Sequence, residues 1–301
     1  MQVNLVASLP MYDWPEVRDE TNAQWERIRE ALRSRGVAVP DHLARNNGDL
    51  PSVSGGILDD AGKVIASDPA NLPADELDLN GLWLHPGLFL AQACWGPLEL
   101  GVADHVQIVG QPSYEGIEGG CGPFYSSAII MRRDGKDILA SLDGIAQIPM
   151  SKLRGRRLAF NDLGSMSGLQ ALVSDLEAMG ETIEIFSQRI QTGSHRQSIV
   201  AVAEGGADVA AIDCKTLLLA KRFEPATRDV QVVGWTKPRK GLPFITSRHT
   251  SAEVVALMRV VLAQLGLCVD PETSLPRFNP ARPELACCSS IFNGTFEKPV
   301  R

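Results

Sequence analysis

LAFNDLGSMSGLQALVSDLEAMG, residues 158 to 180, sets a strand, a polar turn and a helix in succession. Leu158 to Phe160 read as a short buried strand, and Asn161 to Gly164 as the turn that leaves it. Apolar residues then recur at Leu169, Leu172, Val173, Leu176 and Met179, the spacing of an amphipathic helix. Gly180 closes it. The helix opens on Ser165, Met166, Ser167 and Gly168. The first N–H groups of a helix lack partners within it, and the dipole adds about half a positive charge at the same end. Two hydroxyls and several backbone donors therefore converge where an anion can be held without a lysine. An ordinary serine cap fits the same residues, so the rest of the chain must decide.

The arrangement recurs downstream. Glu184 to Ile190 read as the next strand, and Thr192, Gly193, Ser194 and His195 open a second helix with Ile199, Val200 and Ala203 inward and Gly205 and Gly206 at its end. Asp208 to Ile212 read as a third strand that delivers Asp213 at its C-terminal end. Alternation of strand, polar turn and helix is the pattern of a small doubly wound α/β sheet, whose polar turns are expected on one rim. His195 there is either a cap or a donor to an anionic oxygen; no second histidine stands at metal-ligand spacing from it. Asp213 is either a strand-end cap or the acceptor for a ligand hydroxyl or amine.

Upstream, Val3 to Ala7 read as a buried strand whose following turn places Tyr12 at the strand's C-terminal end. Ligands collect at such ends in open α/β sheets, and packing is the competing role for the ring. Pro15 opens a helix to about Arg35, with Val17, Trp25, Ile28 and Leu32 on one side and Gly36 beyond. Between Asn46 and Asn80 the chain turns rich in Gly, Pro, Ser, Asp and Asn, and GILDDAGKVIA reads as a surface hairpin. A helix is expected around Leu88 to Cys94 and strands over Val106 to Val109 and Tyr125 to Arg132. The glycines at 116, 119, 120 and 122 mark a crossing between lobes. Val230 to Val233 read as a strand, and Thr250 and Ser251 cap an apolar helix through Leu265. From Asp270 onwards Pro, Asn and Ser predict a surface segment of little regular structure.

With 29 basic against 36 acidic residues and a net charge of -7, a nucleic-acid partner is disfavoured, because phosphate backbones are held by clustered Lys and Arg. No run of about 18 apolar residues is present to span a membrane. MQVNLVASLPMY shows no basic region, apolar core or cleavage pattern of a secretory leader. The six cysteines, at 94, 121, 214, 268, 287 and 288, have no zinc-motif spacing, and adjacent Cys287 and Cys288 are given no role. G-x-x-x-x-G-K-[ST] and G-x-S-x-G are absent.

Taken together, LRGRRLAFNDLGSMSGLQAL (153–172) and TGSHRQSIVAVAEGGADVAAID (192–213), with SLPMYDWPE, LAQACWGPL, GGCGPFYSS and GLPFITS, resemble the substrate-binding proteins of phosphonate, phosphite and phosphate ABC transporters. The resemblance implies an α/β, two-lobed type II periplasmic-binding-protein fold with two crossing hinge strands and ligand in the interlobe cleft. Lobe 1 is then expected over 1–108 and 217–301, and lobe 2 over 109–216. In such relatives the phosphonate oxygens sit on the helix start matching Ser165, Met166, Ser167 and Gly168, while groups matching His195 and Tyr125 close around them. Met166 stands where a threonine is common, which removes a hydroxyl and keeps a backbone N–H. Relatives of aminoalkyl phosphonates place acidic side chains at positions matching Lys215 and Leu242; neither is acidic here, although Asp213 is near, so a smaller or non-amine oxyanion is expected. The implied role is non-catalytic, with no cofactor or metal, an ABC permease as partner and a periplasmic location, or a cytoplasmic one given the absence of a visible leader. Two other readings share the site: a cytoplasmic enzyme resembling the thiamine-pyrimidine precursor synthases, which use pyridoxal phosphate, and a soluble ligand sensor.

Overall fold

A computed structural model describes residues 4–133 and 146–269; the expectations for the segment from Asp270, and for Cys287 and Cys288, lie outside these. In chain order the main strands begin with β1 (Val6–Ser8), β2 (Leu88–Gln92), β3 (Val106–Gly110), β4 (Ser127–Arg132) and β5 (Arg157–Phe160). They continue with β6 (Gln188–Gln191), β7 (Val209–Asp213), β8 (Val230–Trp235) and β9 (Phe244–Ser247). The longer helices are α1 (Arg18–Arg33), α2 (Ala171–Glu177), α3 (His195–Ala203), α4 (Cys214–Phe223) and α5 (Ala252–Gln264).

Two sheets define two lobes. The first has the order β1-β2-β9-β3, with β1 and β2 parallel and β9 antiparallel to both its neighbours. On one face α1 and α5 bury Trp25, Ile28, Leu32, Met258, Val261 and Leu262 against Phe89, Val109 and Phe244. The second has the order β6-β5-β7-β4-β8, in which β6, β5 and β7 run parallel and β4 is antiparallel to β7 and β8. Helices α2 and α3 cover it, with Leu172 and Leu176 buried against Leu158, Val209 and Ile129 on one side and Ile199 and Val202 against Ala159, Ala210 and Ile130 on the other. Both faces of the central strands are therefore dry, as parallel sheets require.

The chain crosses between the sheets over 111–126 and 236–243, and the crossings pair with each other: Tyr125 stands opposite Arg239 and Phe124 opposite Lys240. Buried Asp175 of α2 anchors the second crossing, accepting the Lys237 N–H at 2.7 Å and the Arg239 guanidinium at 2.8 Å. This is the two-lobed fold expected from the sequence.

Several expectations need correction. Leu88 to Gln92 form a strand where a helix was expected; all five residues are buried, and an apolar run covered on both faces carries no periodicity to separate the two. The expected strand over Glu184 to Ile190 is a 3-10 turn, Ile183–Ile185, before an edge strand at Gln188–Gln191. The strand expected to start at Tyr125 breaks at Ser126, and Met179 lies 51% exposed beyond the end of α2. The expected division after residue 216 cuts through α4 and ahead of β8, whereas β8 pairs with β4 in the second sheet. That after 108 falls inside β3, which pairs with β9 in the first.

Candidate functional site

The turn after β5 is shaped by short polar bonds. Asp162 Oδ1 accepts the Gly164 N–H at 2.8 Å, and Ser165 Oγ accepts the Gly168 N–H at 3.1 Å. The helix begins with a π turn over Met166–Gln170, so the Leu169 and Gln170 N–H groups both reach the Ser165 carbonyl; such turns recur at functional sites. A Cβ on Gly168 would lie 1.7 Å from Asn161 Oδ1, so a larger residue there would displace the Asn161 side chain. Asn161 Oδ1 itself is buried and has no hydrogen-bond partner.

The second turn leans on the first. Gly193, at φ +83°, donates its N–H to the Asn161 carbonyl at 3.0 Å, and Ser194 caps α3 by accepting the Gln197 N–H at 3.1 Å. His195 follows, with Nε2 2.9 Å from the buried Ser167 Oγ. Burial pushes the imidazole below its ordinary pKa, with Asp213 and the Ala211 carbonyl opposing, so the ring is neutral at neutral pH. Nδ1 is shut from solvent and, among the described residues, meets no partner at hydrogen-bond geometry. A neutral imidazole beside a hydroxyl is a relay: one gives the proton, and the other keeps a donor or acceptor for a third group.

At the end of β7, Asp213 Oδ1 accepts the Thr216 N–H at 2.8 Å and so caps α4. Its Oδ2 accepts the hydroxyl of Tyr12, from the other lobe, at 2.9 Å. The Tyr12 hydroxyl is also 3.2 Å from that of Tyr114, which accepts the Leu242 N–H at 2.9 Å. Tyr114 in turn stacks on Tyr125, with ring centroids 5.2 Å apart. The phenols are held protonated: burial raises Tyr12, Tyr114 and Tyr125 above the ordinary tyrosine pKa, and the Asp213 charge adds to it in each. Ser167 lies near enough to Tyr125 to oppose that shift, yet no group meets the Tyr125 hydroxyl at hydrogen-bond geometry.

Between the lobes runs a cavity of about 850 Å³. Of the residues singled out in the sequence, Tyr12, Ser165, Ser167, His195 and Asp213 line it. Tyr125, Met166 and Gly168 stand behind the wall. The Met166 side chain packs in the core. The expectation of several open backbone donors is corrected at one position, because the Gly168 N–H is already engaged by Ser165 Oγ. At the mouth, Arg196 lies 4.6 Å over the Trp14 ring and pairs with Glu224 of its own lobe and Glu16 of the other. Tyr114 and Cys94 were not singled out from the sequence. Only SYEG around Tyr114 and the short ACWGP run around Cys94 pointed to them.

Two sheets, paired crossings and a cleft rimmed by helix starts define a two-lobed solute-binding protein. Residues 99–274, more than half of the chain, match the family described as ABC transporter, phosphonate, periplasmic substrate-binding protein, and the chain belongs to that family. Its role is accordingly to bind a solute for ABC-type uptake. Among solved structures, PhnD1 from Prochlorococcus marinus in complex with methylphosphonate is similar at 16% identity and a TM-score of 0.57, covering 86% of this chain and 83% of that one. XAC2383 from Xanthomonas citri bound to chloride gives 18% identity and 0.55, with 94% and 87% covered. A binding protein component of an ABC phosphonate transporter from Pseudomonas aeruginosa gives 15% and 0.51, with 87% and 79% covered. At these identities the likeness is one of fold. No curated protein matches.

Proposed function

We propose that this protein captures a small phosphorus oxyanion (a phosphonate, phosphite or phosphate) in the interlobe cleft and presents it, without chemical change, to an ABC permease in the periplasm. The observation that carries the reading is the Ser167–His195 pair. Two adjacent helix starts bring a hydroxyl and a neutral imidazole to 2.9 Å on the wall of the cavity, facing Tyr12 of the other lobe. Family membership supplies the solute class, and the methylphosphonate held by the Prochlorococcus protein is in keeping with it. Ser165, Ser167 and His195 are the proposed oxyanion contacts. Tyr125, with its unpartnered hydroxyl, supports them from behind, Met166 and Gly168 shape the turn, and Tyr12 and Asp213 tie the lobes together.

An amine on the ligand is disfavoured. Both Asp213 oxygens already accept bonds, the Lys215 ammonium lies 4.4 Å over the Tyr12 ring, and Leu242 presents an apolar wall. A pyridoxal phosphate enzyme would need a lysine at the cavity, and no lysine is among the described residues that line it.

A thermal-shift panel tests the reading, with phosphate, phosphite, methylphosphonate, 2-aminoethylphosphonate, sulfate and pyridoxal phosphate on ligand-stripped protein. A midpoint that rises with the logarithm of the concentration of a simple phosphorus oxyanion supports it. A rise with pyridoxal phosphate or sulfate alone contradicts it.

A further inference from the structure

The two walls of the cleft are chemically opposite. From the second lobe the cavity is lined by residues such as Asn161, Ser165, Ser167, Ser194, His195 and Asp213, and every described lining residue of that lobe is polar or glycine. From the first lobe it is lined mainly by carbon, including Met11, Leu77, Leu79, Trp83, Pro97 and Val102. Apart from Asn80, which is exposed, most polar groups on that wall are turned to other uses. The Tyr12 hydroxyl bonds Asp213, and Asp78 Oδ2 caps its own helix through the Gly81 N–H at 3.0 Å. The Trp83 indole N–H goes to the Gln92 carbonyl at 3.1 Å. Met11, Leu77 and Leu79 pack on the first lobe's core while staying only partly buried.

Size points the same way. Pockets of roughly 300–1,000 Å³ take drug-sized organic ligands, and a cavity of about 850 Å³ far exceeds what a bare oxyanion fills. An oxygen turned towards the apolar stretch at Met11, Leu79 and Val102 would lose water and gain no hydrogen bond, which is unfavourable. A carbon group there would leave water for an apolar wall, which is favourable.

We infer that the bound phosphonate carries an apolar substituent of several carbons, laid along the first-lobe wall at Met11, Leu79, Trp83 and Val102 while the second lobe holds its PO₃ group. This rests on the oxyanion reading above and narrows it: phosphate and phosphite are the lesser ligands, and the substituent carries selectivity.

Calorimetric titration of ligand-stripped protein with phosphate, methylphosphonate, n-butylphosphonate and phenylphosphonate tests it. Affinity is expected to rise along the series from phosphate to the butyl and phenyl compounds, by up to about fourfold for each fully buried methylene. In Leu79→Gln, n-butylphosphonate should weaken more than methylphosphonate, so that the gap between them narrows, while the ligand-free protein keeps its circular dichroism spectrum. Phosphate or methylphosphonate binding as tightly as the butyl and phenyl compounds would overturn the inference and leave the oxyanion reading standing. Equal loss of methyl and butyl compounds in Leu79→Gln would also overturn it. Failure of all four ligands to bind would overturn the oxyanion reading, and the inference with it.

Discussion

A Cβ placed on Gly96 would stand 1.9 Å from the carbonyl oxygen of Gly164, so the first lobe's short helix Trp95–Glu99 touches the Asn161–Gly168 turn of the second lobe backbone to backbone. Alanine suits a helix better than glycine, and the cost of Gly96→Ala therefore falls on the approach of the lobes. The variant is expected to keep its spectrum and cooperative unfolding while binding solute about tenfold more weakly, because the closed state that the ligand favours is depopulated. Titration beside thermal unfolding separates the two effects.

Ser165 and Ser167 are both proposed ligand contacts, but only Ser165 also caps the helix, so Ser165→Ala should cost about 1 kcal/mol of stability in urea unfolding besides weakening the ligand. Ser167 faces His195, and Ser167→Ala should cost about 1.5–3 kcal/mol of ligand binding, the range for a hydrogen bond to a charged group, as read by titration.

Tyr12 and Asp213 form a buried bond between lobes at 2.9 Å. Tyr12→Phe keeps the ring under Lys215 and strands one carboxylate oxygen in a dry site. The expected outcome is a loss of about 1.5–3 kcal/mol in unfolding free energy, measured in urea at pH 7. Asp213→Asn, which can still cap Thr216, should lose less.

His195 and His85 are both buried with pKa values below the ordinary histidine value, burial being the main cause in each. As the pH falls through about 6.5 the unfolded chain takes up protons that the folded protein refuses. Their contribution to stability is thus intact above that pH, declines below it, and levels off under the folded pKa values. Urea midpoints measured from pH 7.5 to pH 5 should fall, and the fall should be shallower in His195→Asn and in His85→Gln.

Much of this was legible in the sequence because glycine and the small polar residues punctuate it. The Asn161–Gly168 and Thr192–His195 turns, each between a strand and a helix, announced themselves through capping chemistry. The hairpin pairing Ile57–Leu58 with Val64–Ala66 and the helix begun by Ser251 were read for the same reason. Leu88–Gln92 was not, since a strand buried on both faces has lost the alternation by which strands are recognised. Nor was the site's second half. Tyr114, Cys94 and Leu79 become cavity or hinge residues only when two distant segments meet across the crossings, and spacing along a chain does not encode that.

The central claim is that the Ser167–His195 pair holds a phosphorus oxyanion. Calorimetric titration of methylphosphonate into ligand-stripped wild type and into Ser167→Ala/His195→Ala tests it most directly. The account predicts saturable one-to-one binding by the wild type and its loss in a double variant that still unfolds cooperatively. Binding of equal affinity in both proteins, or no binding by the wild type, would contradict it.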